Sequence, residues 1–410
     1  MRKTCSDPGK NKTGTKRMHP ARKVAVLMCI MGILGLSGCG RLTAVAVQTG
    51  LVESPYYHLG DTEWDHGGVE EYWFNQIPSE LNETYRELYA RLTNYEDAAD
   101  MYARMDVDNF WKVYYAVLAD HPEIFWLGDV DEDSVAGTSV SYTDISGKVV
   151  KYSVASVVPV AERDEMRAGL EAAADECIRQ IPEGSSDYEK IRFVYNYIVD
   201  NVDYDLTAPY NQNVQSALLN RRSVCAGYSR AFQYILHRMG MFCTYVTGTI
   251  RDGGDHAWNM VRIDGEYYHV DVTWGDPLFE GGEPVEGYRN YNYLCCPDSV
   301  LFKTHTPTPD FNLVPCTDDS YDYYKLTGRY HETFDYDEIY SVLMNSVWSE
   351  EASVTMKFGS SEAYESAKYE MFSNGMLYDA TAYLMELYGV STWKYTYQTD
   401  DDFYLITIFW

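Results

Sequence analysis

The segment 223–274 constrains the fold more than any other part of the chain. It opens with Ser223-Val224-Cys225-Ala226-Gly227-Tyr228, where an irregular stretch gives way to helical spacing. Tyr228, Phe232, Ile235, Leu236 and Met239 lie on one face, and Gly240 supplies the stop. Three strand-like runs succeed this helix, at 242–250, 256–263 and 266–274. Asp264-Gly265 between the last two is a strong two-residue turn signal. The spacing therefore predicts a helix followed by an antiparallel hairpin. Pairing about that turn sets His256 opposite Thr273, with Asp271 on the same face and diagonal to His256.

That register brings chemistry together. Diagonal neighbours are roughly 7 Å apart at the backbone, within reach for a carboxylate to orient an imidazole. Cys225 sits where a helix begins, and unpaired N–H groups and the helix dipole there favour a thiolate over a thiol. A thiolate nucleophile, an imidazole base and an orienting carboxylate make up a thiol triad. The backbone N–H of Cys225 is one natural oxyanion donor. A second donor is sought in 211–216, with Gln215 a weak candidate.

The motifs resemble a known family. Ser223-Val224-Cys225-Ala226-Gly227-Tyr228, Asp255-His256-Ala257-Trp258-Asn259 and Tyr268-His269-Val270-Asp271-Val272-Thr273-Trp274 are similar to the three motifs of the transglutaminase-like superfamily. The Tyr204-Asp205 exit of the preceding helix is similar as well, so the resemblance covers 186–277. It implies an α+β, papain-like core in which a helix bearing Cys at its N-terminus packs on an antiparallel sheet. It further implies Cys225 as nucleophile, His256 as base and Asp271 as orienter, with Tyr228 and Trp258 shaping the site. No cofactor or metal is implied.

Charge and the N-terminus suggest an address. The 410 residues carry 33 Lys+Arg against 62 Asp+Glu, a formal net charge of -29, which argues against nucleic acid as a partner. Residues 1–38 run against that trend, with eight basic residues and one acid. An apolar run at 24–36 follows, too short for a comfortable span, and no run of 18 or more apolar residues occurs anywhere, which excludes a multi-span membrane protein. Leu36-Ser37-Gly38-Cys39 resembles the bacterial lipobox, in which the cysteine is lipidated and becomes the first mature residue. The expectation is a lipoprotein signal peptide at 1–38, lipidation at Cys39 and a tether at 39–65.

The remaining organisation follows from periodicity. Helical spacing at Leu81, Tyr85, Leu88, Leu92 and again at Phe110, Val113, Tyr114, Val117 precedes a hairpin at 139–154, giving an N-terminal region at 66–160. The core is expected at 161–316, with Cys177 on an apolar helix face and a capping box at Ser186 and Glu189. A C-terminal α+β domain at 317–410 ends in a strand at 403–410. Cys243, Cys295, Cys296 and Cys316 could include a disulfide in an oxidising exterior, with no pairing assigned.

Other constellations fail. The acidic run Asp129-Val130-Asp131-Glu132-Asp133 begins like a calcium loop, but Ser134 replaces the required glycine and Val140 the closing glutamate. His331-Glu332 lacks a second histidine three residues on, and neither a phosphate loop nor a Gly-x-Ser-x-Gly elbow occurs. The leading expectation is a lipid-anchored, extracytoplasmic cysteine enzyme. Peptide or protein amides near the cell wall would be its substrates, and an acyl-enzyme its intermediate. The alternative is a surface module that keeps the fold for binding alone. A third reading makes it a processing protease for surface proteins, with the N-terminal region as lid or spacer.

Overall fold

The computed structural model describes residues 39–54, 56, 69–127, 139–142, 147–251, 253–276, 287–309 and 312–410. The basic leader at 1–38 and the acidic run at 129–133 lie outside the described residues. Among those described, no helix is long and apolar enough to cross a membrane.

The segment expected to be a tether begins as helix α1 (Cys39–Gln48), which buries Ala44 and Ala46. Leu42, Ala44 and Ala46, with no Gly or Pro after Gly40, suit a helix. Helix α2 (Asn82–Thr93) buries the expected Tyr85, Leu88 and Leu92. Strand β1 (Ala98–Asp100) escaped the sequence reading, being only three residues of mixed exposure. Helix α3 (Val107–Asp120) starts at Asp106, whose carboxylate accepts from the Asn109 N–H at 2.9 Å. Strands β2 (Ser139–Tyr142) and β3 (Val149–Ser153) form the expected antiparallel hairpin, and β1 adds to the other edge of β3.

The central unit starts with helix α4 (Arg163–Arg179), which buries Cys177. Helix α5 (Asp187–Asn201) opens on the expected capping box, with Ser186 and Glu189 bonding reciprocally. Strand β4 (Asp203–Tyr204), the short helix α6 (Val214–Leu218) and strand β5 (Arg222–Ser223) then lead into helix α7 (Cys225–Arg238). Strands β6 (Cys243–Ile250), β7 (Asp255–Ile263) and β8 (Glu266–Val270) follow. After helix α8 (Asp298–Leu301) comes strand β9 (His305–Pro307), and the sheet order is β8-β7-β6-β9, antiparallel throughout. Helix α7 packs on this sheet, so the core is α+β with cysteine at the head of the helix.

Helix α9 (Tyr323–Leu326) and strand β10 (Tyr330–His331) lead into the C-terminal region. Helix α10 (Tyr336–Trp348), strand β11 (Ser353–Phe358), helices α11 (Ser361–Phe372) and α12 (Met376–Tyr388), and strands β12 (Thr396–Asp400) and β13 (Leu405–Phe409) complete it. Its sheet runs β10-β11-β13-β12 around a separate apolar cluster that includes Ile339, Leu343, Met356 and Ile406.

The N-terminal region and the central unit share one buried cluster, which runs from Tyr72 and Trp126 through Phe232 to Trp258. Polar ties reinforce it. The Leu118 and Ala119 carbonyls, in the last turn of α3, lack helical partners of their own. They accept from Arg230 (2.8 Å) and Gln233 (2.7 Å) of α7. Just beyond, the Phe125 and Leu127 carbonyls accept from Gln215 (2.9 Å) and Asn213 (2.8 Å).

Candidate functional site

Cys225 takes its place from what surrounds the start of α7. Val224, the N-cap, is extended and offers no side-chain acceptor, so no side chain caps the first-turn N–H groups. The helix can begin here because position 227 is glycine. A Cβ there would fall 1.9 Å from Ser223 Oγ and 2.9 Å from the Asn211 carbonyl. The helix is then pinned to the sheet: Ser229 Oγ donates to the Ala257 carbonyl (3.0 Å), and Asn259 Nδ2 donates to the Ser229 carbonyl (3.1 Å). Ala257 follows His256 directly, so these bonds set the spacing between thiol and imidazole.

His256 lies on β7 opposite Gly248 of β6, and its ring is buried. The hairpin has the expected register: Ile263 pairs with Glu266 and Asn259 with Val270, about a turn in which Asp264 and Gly265 both have positive φ. Strand β8, however, stops at Val270 rather than continuing to 274, so His256 does not pair with Thr273. Asp271 ends the strand itself. Its Oδ1 accepts from the backbone N–H of Thr273 (3.0 Å) and Trp274 (3.2 Å), curling the chain into a single 3₁₀ turn. That curl aims Oδ2 at His256 Nε2, 2.8 Å away.

The electrostatics match this geometry. Burial opposes a charged His256, but the Asp271 carboxylate outweighs it and, with the Cys225 hydrogen bond, lifts the imidazole to about 10. Burial would likewise raise Asp271, yet the His256 charge and the bonds from His256 and His305 hold it well below the usual carboxylate range. With Nε2 committed to Asp271, Nδ1 is the ring nitrogen left for the thiol. Cys225 is partly exposed, whereas Cys177, Cys243, Cys295, Cys296 and Cys316 are buried. All six are free thiols, so no disulfide forms among the described residues.

Tyr228 and Trp258, both fully buried, sit behind the triad. The Tyr228 hydroxyl lies 2.5 Å from the Val202 carbonyl and 3.0 Å from the Asp276 carboxylate. The Trp258 ring stacks near His256, centroids 6.4 Å apart, while its Nε1 donates to His269 Nδ1 at 3.3 Å. Gln215 is buried and donates to Phe125, which makes it a tie to the N-terminal region. The residue that sequence reasoning missed is His305, whose Nε2 lies 3.0 Å from the same Oδ2. The available signal was Gly248, a glycine inside a strand, which marks a close backbone approach. A Cβ there would meet the Thr306 carbonyl of β9 at 2.2 Å.

Among the described residues, two clusters have the donor types of a metal site: His256, Asp271 and His305, and His269, Asp298 and Cys316. Hydrogen bonds account for both. In the first, two imidazole N–H groups converge on one carboxylate oxygen at 2.8 and 3.0 Å, and a cation would have to displace both protons. In the second, His269 Nδ1 accepts from Trp258, so Nε2 carries the proton it gives to Asp298 at 2.8 Å. Burial pushes His269 down, consistent with that neutral ring.

Comparison with known proteins agrees with this core. Residues 175–272 match the model of the transglutaminase-like superfamily. That stretch is a transglutaminase-like domain. The kyphoscoliosis peptidases of Mus musculus and Homo sapiens are each 26% identical to the chain, over 136 and 130 residues. Those alignments take in 29% and 28% of this chain but 20% and 19% of the peptidases, so the chain spans about a fifth of the relatives' length. A crystal structure described as a TGase aligns with 43% of this chain and 50% of its own, at 14% identity and a TM-score of 0.25. The transglutaminase-like domain contains all three of Cys225, His256 and Asp271; His305 lies beyond it.

Proposed function

We propose that the protein is a cysteine enzyme that cleaves or transfers peptide or protein amides through an acyl-enzyme. One observation carries this reading: His256 is bonded through Nε2 to Asp271 and hydrogen-bonded to the thiol of Cys225, which heads a helix. In this mechanism the proton between Cys225 Sγ and His256 rests on the imidazole, and Sγ attacks the amide carbonyl. The uncapped N–H groups at the start of α7 receive the developing oxyanion. His256 then protonates the leaving amine, the C–N bond breaks, and a thioester remains. Water resolves it to an acid, or a second amine to a new amide. The leader and the lipobox-like Leu36-Ser37-Gly38-Cys39 support a lipid-anchored, extracytoplasmic setting, with cell-wall peptides as the substrate class.

The test is labelling with a thiol-directed probe, read site by site by mass spectrometry. Burial pushes the Cys177 thiol up to about 12 and raises those of Cys243 and Cys295 well above the usual range. Cys225 should label first and fastest near neutral pH, and His256→Ala should slow it. Equal labelling of Cys225 and the buried cysteines would favour a non-catalytic binding module.

A further inference from the structure

We propose that His305 is a positioning residue, a second imidazole that holds the Asp271 carboxylate in place and moderates its pull on the His256 proton. The proposal deepens the acyl-enzyme reading and rests on it for its consequence in turnover. Oδ2 of Asp271 accepts from His256 Nε2 at 2.8 Å and from His305 Nε2 at 3.0 Å. The carboxylate can only accept, so both imidazoles donate.

His305 is itself well held. Its Nδ1 lies 2.8 Å from Thr304 Oγ1, which is anchored by the Leu301 carbonyl (3.2 Å) and the Tyr293 hydroxyl (3.3 Å). The ring is buried against His256, Trp258 and Trp274, with centroids 5.1, 5.3 and 4.9 Å away. A residue needed only to fill this space could be apolar. What only a donor supplies is the second hydrogen bond to Oδ2. Without it, His256 faces that oxygen alone and holds its proton more tightly, and the base becomes a poorer proton donor to a leaving amine. Among the described residues, the other titratable groups facing His256, Asp271 and His305 are Cys225 from α7, Tyr195 from α5, Tyr204 from β4, His269 from β8, Tyr293 and Cys296. All of them are the same in wild type and in the variants below.

The experiment is an NMR titration of the full chain with ¹⁵N-labelled histidine, following His256 in wild type, His305→Gln and His305→Leu. Glutamine keeps an N–H donor at similar reach; leucine fills the space without one. The expected result is a His256 titration shifted upward by about one pH unit in His305→Leu, a tenfold gain in proton affinity, and a midpoint near wild type in His305→Gln. If the leucine variant does not fold, His305→Asn, too short to reach Oδ2, should show the same upward shift. A titration that is unchanged, or moves downward, when the donor is lost overturns the proposal. Probe labelling of Cys225 in wild type separates the two ideas. Fast labelling with an unmoved His256 sinks only the role of His305, whereas slow labelling in wild type sinks the enzyme reading whatever His256 does.

Discussion

Replacing Asp271 by Asn removes one charge and almost no volume, and the structure forces an unusual outcome. Four N–H donors enclose the carboxylate: His256 and His305 on Oδ2 at 2.8 and 3.0 Å, Thr273 and Trp274 on Oδ1 at 3.0 and 3.2 Å. A carboxamide has one oxygen and cannot accept on both sides. The backbone donors are fixed, whereas an imidazole can move its proton to the other nitrogen. The amide oxygen therefore stays with Thr273 and Trp274, and the NH₂ turns to the histidines. His256 must then carry its proton on Nδ1, facing Cys225, with no lone pair left for the thiol. Four bonds to a charged acceptor, ~1.5–3 kcal/mol each, become neutral bonds of ~0.5–1.5 kcal/mol, a loss of about 4–6 kcal/mol. At ~2–4 °C per kcal/mol the melting temperature should fall by roughly 10–20 °C. Loss of the general base should cost far more, about 10²–10⁴-fold in Cys225 acylation or turnover. The assay pairs thermal melting with Cys225 probe labelling near neutral pH. A variant that melts like wild type and labels within about tenfold of it would refute the four-donor geometry, because the amide oxygen would then be serving His256.

Gly227→Ala should destabilise by about 1–3 kcal/mol, since the new Cβ would collide with Ser223 Oγ and the Asn211 carbonyl; an unchanged urea midpoint would count against the close packing at the start of α7. The ion pair also predicts a pH dependence. His256 is raised to about 10 in the fold, so its contribution to stability is complete below its unfolded value of ~6.5 and disappears as pH rises through about 10. Asp271 is depressed, so its contribution is present above ~3.9 and is lost as pH falls further. The stability gap between wild type and His256→Leu should accordingly be widest between about pH 4 and 6.5 and close towards pH 10; a gap that widens with rising pH would show the pair to be misassigned. For the membrane address, mass spectrometry of the mature N-terminus should find a diacylglyceryl group on Cys39, and an unmodified terminus elsewhere would remove that expectation.

The placement of Cys225, His256 and Asp271 was legible because local signals fixed it. A glycine-ended amphipathic run located α7, and Asp264-Gly265 set the β7–β8 register correctly. The reading failed where a side chain overrode the strand pattern. Residues 271–274 look like strand, yet Asp271 spends its carboxylate on its own chain and ends β8. His305 carried no motif of its own, only the indirect mark of the strand glycine Gly248. It reaches Oδ2 because β9 crosses to the far edge of β6, pairing Gly248 with Pro307, and no periodicity reports a contact across that distance. The ties from Asn213, Gln215, Arg230 and Gln233 to the N-terminal region were equally hidden, since main-chain carbonyls accept from any donor and leave no motif.

Those ties bear on modularity. The nucleophile's helix α7 is tied to carbonyls at 118 and 119, and the start of α6 to those at 125 and 127, all well upstream of the segment 175–272 that matches the family. Grafting 175–272 alone onto another chain would carry the thiol, imidazole and carboxylate but strand four donors at the rear of the helix pair, at ~1–3 kcal/mol for each that stays buried and unpaired. The heritable unit is therefore discontinuous in sequence, and a recombination breakpoint between 127 and 175 should be tolerated only when the two pieces travel together.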